Sequence, residues 1–147
     1  MARVDYYALE EAIRTQLKTT ATLADTTILI EEEVMMQPGN VVVIYLDRRD
    51  APADEQVISA GRRTRFNIKF TIACYHSGLD KSVVMEQRDD LLGKVELALM
   101  ADNTFSNSVD ASWIEGGDFE NARNQGGTAG FVSVGTIELI AQVSAVQ

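Results

Sequence analysis

The longest regular pattern in this chain is the alternation of apolar and polar residues across Arg62–Tyr75. Phe66, Ile68, Phe70, Ile72 and Cys74 fall on one face of an extended segment, and Arg65, Asn67, Lys69, Thr71 and Tyr75 fall on the other. A period of two sustained over such a run predicts a strand with one buried face and one wetter face.

Two stretches carry the helical period instead. Asp5 is placed to cap a first helix that ends at Lys18 or Thr19, with Tyr6, Leu9, Ile13 and Leu17 as its apolar stripe. Glu10, Glu11, Arg14 and Lys18 fill the other side, where Glu10 and Arg14 are spaced to attract. Asp80 or Ser82 caps a second helix that reaches Met100 and closes at Asp102-Asn103. Its stripe is Val84, Leu91, Val95 and Leu99, widened by Leu92 and Ala98. Gly93 stands mid-helix, where it costs about 1 kcal/mol relative to alanine, and this predicts a close approach of helix to sheet.

The remaining elements are extended. Thr26–Glu32 reads as a short strand with Ile28 and Ile30 facing one way, ended by Glu31-Glu32-Glu33. Pro38-Gly39-Asn40 is a turn signal, and the β-branched run Val41–Leu46 suits an interior strand. Asp47–Gly61 holds Arg48, Arg49, Asp50, Pro52, Asp54 and Glu55 with no period, so it reads as a long loop at the tip of a hairpin. Ser77-Gly78 ends the long strand. Val109–Phe119, with Trp113 and Ile114, is a further strand, and Glu120–Gly130 is a mobile connection rich in asparagine and glycine. Phe131–Ala145 is a last strand whose phase slips by one at Gly135, which predicts a bulge there. The order helix, strand, strand, strand, helix, strand, strand predicts an α+β fold. Four to five mostly antiparallel strands carry two helices on one face, with a long β-hairpin extension, in one domain over residues 1–147.

At 147 residues the chain can bury a real core. No run approaches the roughly 18 apolar residues of a membrane helix, so no membrane partner is expected. The start, Met1-Ala2-Arg3-Val4-Asp5, turns polar too early for a secretory signal, which predicts a cytoplasmic site of synthesis. The net charge of −9 repels phosphate backbones and argues against sequence-independent nucleic-acid binding.

Candidate chemistry is sparse. Cys74 and His76 are the single cysteine and histidine, and without a third partner they do not make a nucleophilic site; Cys74 reads as a core residue. Gly116-Gly117 and Gly126-Gly127 lack the strand–loop–helix setting of a phosphate loop and read as turns. The acidic clusters at Glu31–Glu33, Asp89-Asp90 and Asp118/Glu120 read as solvated faces, and neither metal nor cofactor is expected. What stands out is a concentration of arginine, at positions 48, 49, 62, 63 and 65, in an otherwise acidic chain. Such charges either discourage edge pairing or meet carboxylates of a neighbouring copy, from Glu31–Glu33 or the second helix. Trp113 is either a core filler or an interface anchor.

The organisation resembles a known family. The opening helix at Tyr6–Leu17, the strand Val41–Leu46 and the basic alternating run Arg62-Arg63-Thr64-Arg65-Phe66-Asn67-Ile68-Lys69-Phe70 after a polar loop carry the likeness. So do the helix with Met85-Glu86-Gln87-Arg88-Asp89-Asp90-Leu91-Leu92 and the closing strand with Gly135-Thr136-Ile137-Glu138-Leu139. Together they resemble the tail terminator, or tail completion, proteins of long-tailed bacteriophages, similar to the lambda-type minor tail protein U. The resemblance implies a structural virion protein without catalytic residues, assembled in the host cytoplasm and located at the tail–neck junction. It implies a ring, typically a hexamer, that caps the tail tube, stops its polymerisation and presents a surface to a neck or head-completion protein. Genomic DNA would pass the lumen without specific binding. A neck or head–tail connector of a phage or phage-like contractile particle is the alternative. Candidate contact residues are Arg48, Arg49, Asp50, Asp54, Glu55, Arg62 and Arg63 around the first long loop, and Asn121, Arg123 and Asn124 in the second.

Overall fold

A computed structural model of the chain describes residues 4–31, 39–50, 63–125 and 130–146. Helix α1 spans Tyr6–Lys18 and helix α2 spans Lys81–Met100. The strands are β1 Thr27–Ile30, β2 Gly39–Asp50, β3 Arg63–Gly78, β4 Ala111–Gly116, β5 Arg123–Asn124 and β6 Phe131–Val146. A 3₁₀ turn at Ala21–Leu23, with Leu23 buried, follows α1 and has no counterpart in the sequence pattern. Among the described residues the strands form one mixed, mostly antiparallel sheet in the order β1-β2-β3-β6-β4, with β5 also on β6.

Both helices start as their caps predict. The Asp5 carboxylate accepts from the Ala8 N–H at 3.0 Å, and that of Asp80 accepts from Ser82 and Val83 at 3.0 and 3.3 Å. The apolar stripes then turn inward. Leu9, Ile13 and Leu17 of α1 and Leu91, Val95 and Leu99 of α2 are buried against Val42, Ile44, Ile68, Phe70, Ile72, Cys74, Ile137 and Leu139. These strand residues share one face of the sheet, so the two helices cover a single side, as the period-two and period-3.6 patterns require.

The sheet is mostly antiparallel as expected; the one parallel pair among the described residues is β1 with β2, Thr27 opposite Val41 through Ile30 opposite Ile44. Several expectations need correction. The sheet has six strands rather than four to five, the added one being the two-residue β5 on β6. β2 does not stop at Leu46: a register shift between Leu46 and Arg48 accommodates Asp47, and pairing with β3 resumes at Arg48, Arg49 and Asp50. A polar stretch without period thus becomes strand because a partner strand lies alongside it. Likewise β3 runs on through Gly78, paired with Phe131.

Gly135 carries no bulge against β3: the register runs unbroken from Phe131 opposite Gly78 to Val146 opposite Arg63. Val132 and Val134 are buried on the face away from the helices, while Ile137 and Leu139 are buried on the helix face. The phase slip in the sequence is therefore a change of buried face. Gly135 instead provides the close approach that Gly93 was expected to make. A Cβ at position 135 would lie 3.3 Å from Arg88 Cδ and 3.3 Å from Leu92 Cδ1, whereas one at Gly93 meets open space.

Candidate functional site

Arg48, Arg49 and Asp50 lie on β2 rather than in a loop, and all three are exposed. Alternation along β2 separates their side chains. Arg48 pairs opposite Lys69, on the face away from the helices, while Arg49 pairs opposite Ile68, toward them. Arg49 is consequently held by its own subunit: Nη1 donates to Tyr6 Oη at 2.9 Å, and the guanidinium lies 5.9 Å from the Tyr6 ring centroid and 6.0 Å from that of Phe66. Arg48 Nε lies 3.2 Å from Asp50 Oδ2, in a pair whose side chains are 65% and 59% exposed. Such a surface pair contributes about 0–1 kcal/mol, so it leaves Arg48 able to exchange partners. On the same face Lys69 Nζ sits 3.4 Å from Glu138 and 4.0 Å from Asp47. Arg63 belongs to β3, and Asp54, Glu55 and Arg62 lie outside the described residues.

The second group is elsewhere. Asn121, Arg123 and Asn124 are exposed, and Arg123-Asn124 form β5 against Val132 and Phe131. Part of the expected mobile connection is thus tied to the sheet. Along β6, Val132 opposite Arg123 and Ile140 opposite Lys69 are eight residues apart, or roughly 26 Å in an extended strand. Among the described residues, the fold does not bring the two predicted groups together.

Sequence reasoning missed a buried arginine near that second group. Arg88, 5% exposed, reaches from α2 to donate from Nη1 to the Glu120 carbonyl at 2.6 Å and Ser133 Oγ at 2.8 Å. Its Nε pairs with Asp89 at 2.7 Å and its guanidinium lies 5.1 Å from the Phe119 ring. The space left by Gly135 admits this side chain, which pins the segment before β5 to α2 and β6. The polar residue within the apolar stripe, at position 88 between Val84 and Leu91, was the available signal.

Glu10 was also misplaced. Assigned to the polar side of α1, it is 2% exposed, and Arg14 pairs with Glu11 at 2.6 Å instead. Burial first, then the charge of Glu31 and a hydrogen bond between the two side chains, push its pKa up to about 7. Among the described residues its Oε2 has no hydrogen-bond partner.

Cys74 is fully buried, and burial pushes its thiol far above the ordinary range, away from the reactive thiolate. His76 Nδ1 is 2.5 Å from Asn40 Oδ1, and burial lowers the pKa of its ring. Among the described residues no three His, Cys, Asp or Glu side chains are grouped to hold a metal. A groove between the end of α1 and the loop after α2 contains Asp102, but that carboxylate already accepts from Thr104 and Ser106.

The apolar surface is more informative. Trp113, with 44% of its surface exposed, is no core filler. It shares with Met100 the wall of a groove of about 410 Å³ between the end of α2 and β4. Leu97, one turn before Met100 on α2, is exposed as well. Both lie off the stripe that α2 buries, a departure visible in the sequence but not singled out there.

Comparison with known proteins adds a fold likeness. The chain superimposes over 100% of its length on the sheath/tube terminator (PVC, extended state) of an extracellular contractile injection system, with a TM-score of 0.53 and 10% identity. That terminator is longer, and the chain spans 59% of it. A chain from the virion of a native gene transfer agent particle matches 93% of this chain and 95% of its own length, with 18% identity and a TM-score of 0.45. No protein-family model matches the chain, and no curated protein matches it in sequence. What the chain shares with the terminator is the α+β fold.

Proposed function

We propose that this protein is a non-enzymatic structural component of a phage or phage-like tail. Several copies form a ring, hexameric in the manner of lambda-type terminators, which caps the tail tube and stops its growth. The ring then presents a surface to the neck or head-completion protein. The observation that carries the reading is the superposition of the entire chain on a terminator fold, helices and sheet together.

Other features agree with the role. A cyclic assembly needs a heterologous contact whose rotation closes, and the sheet offers two unlike edges. A net charge of −9 would let DNA pass a lumen with little adhesion. Among the described residues no helix is long and apolar enough to cross a membrane. The site of action is the tail–neck junction of the virion, reached from the cytoplasm of the host.

The test is polymerisation of a tube protein with and without this chain, followed by electron microscopy. Bounded tube lengths with a ring at one end are expected. Tubes of unrestricted length without added end density would refute the reading. Recovery with portal-side components alone, never with tubes, would move the protein to the neck.

A further inference from the structure

Among the described residues, the sheet has two edges without a strand partner at the same level. Residues 138–142 of β6 pair with β4 on one side and with residues 67–71 of β3 on the other, and this part of β3 pairs with Tyr45–Asp50 of β2. Four strands therefore lie abreast, in the order β2-β3-β6-β4. β1 covers β2 only as far as Ile44. Beyond it, the Glu31 N–H takes the Ile44 carbonyl at 2.9 Å and the Glu31 carboxylate accepts from the Leu46 N–H at 3.4 Å. Among the described residues, Asp47–Asp50 have no strand partner on that side, and β4 has none beyond β6.

The two edges differ in chemistry. The β2 edge, Asp47–Asp50, is polar and charged with both signs, and Arg48 and Asp50 point away from the helices while Arg49 points toward them. The β4 edge is flanked by exposed Trp113 and Met100, which line one groove, with exposed Asp110 and Glu115 at the two ends of the strand. Natural edge strands are usually blunted by charge or cover, and a contiguous apolar patch beside an open edge marks a contact surface. Resting on the ring reading above, we infer that β4 of one copy receives the Asp47–Asp50 edge of β2 from the next copy. The occupant is a second copy because this chain itself supplies both edges, at one level and with opposite strand directions, and Arg48 on one edge is placed to exchange its Asp50 partner for Glu115 on the other.

Strand direction supports the pairing. β2, β3, β6 and β4 alternate in direction, so β2 and β4 run oppositely. Copies related by a rotation that preserves the strand axis then pair antiparallel, with well-aligned hydrogen bonds. The contact is head-to-tail, uses a different surface on each side and repeats around a ring. It covers Trp113 and Met100 and satisfies backbone groups on both edges.

Trp113 is the chain's single tryptophan, so its emission reports the contact directly. Wild-type protein, Arg48→Glu, Glu115→Arg and the double reversal are compared by analytical ultracentrifugation and by tube capping, with thermal melts to verify folding. Assembly of the wild type shifts Trp113 emission to the blue. Each single reversal raises the concentration for half-assembly by about tenfold, and the double reversal recovers most of that loss. If the wild type assembles or caps tubes while Trp113 emission stays put, or both single reversals assemble normally, the edge contact is wrong and the ring reading survives. If the folded wild type neither assembles nor caps, the ring reading falls, and this contact with it.

Discussion

The helix-covered side of the sheet and its β4 edge place large apolar residues under opposite conditions. Beneath the helices, Ile68, Phe70, Ile72, Leu91 and Leu99 are almost fully buried, and each was assigned inward by its spacing. At the edge, Trp113 and Met100 expose 44% and 67% of their surface. The subunit's own folding specifies the first group; nothing in the subunit's described residues covers the second. The contrast separates residues that hold this chain together from those available to hold it to something else.

The largest test of that contrast is Ile68→Asp. It places an unpaired carboxylate in the core and should cost more than about 4 kcal/mol, read as loss of the cooperative melt. Gly135→Val comes next. Its side chain would press on Arg88 and Leu92, already within 3.3 Å of a single Cβ, and should destabilise by roughly 1–3 kcal/mol in denaturant titration.

Glu10→Gln carries a pH signature. The folded pKa of Glu10 is raised from 4.5 to about 7, so its stabilising contribution is complete below pH 4.5 and is lost as pH rises through 7. Wild type and variant should therefore melt together near pH 5. Near pH 8 the variant should be the more stable by roughly 1–2 kcal/mol, and equal melting at both pH values would show that Glu10 is not held protonated. The smallest effect on the free subunit is expected from Trp113→Ser, within about 0.5–1 kcal/mol, because the side chain is substantially exposed. The same change should impair assembly far more than it affects the melt. A large loss of subunit stability would return Trp113 to the core and erase the contrast.

Much of the candidate surface was legible as composition but not as position. The arginines at 48 and 49 stood out in an acidic chain, yet only strand pairing showed that they lie on β2 and point to opposite faces. Arg49, a candidate contact residue, is hydrogen-bonded to Tyr6 within the subunit. Asn121, Arg123 and Asn124 were grouped with them as loop residues, but the fold sets them at the other end of β6. Arg88 looked like a polar interruption of an apolar stripe, and its partners at Glu120 and Ser133 are distant in sequence.

Periodicity by itself determined both helices, their caps, their buried stripes and the inward face of β3, because each depends on neighbours within a few residues along the chain. Partnership between distant segments was decided only in three dimensions: the parallel β1–β2 pair, the continuation of β2 through Asp50, the burial of Glu10 and Arg88, and the use of Gly135 rather than Gly93 for close packing. Local spacing sets which way a side chain points, but what it meets there depends on how the rest of the chain is folded around it.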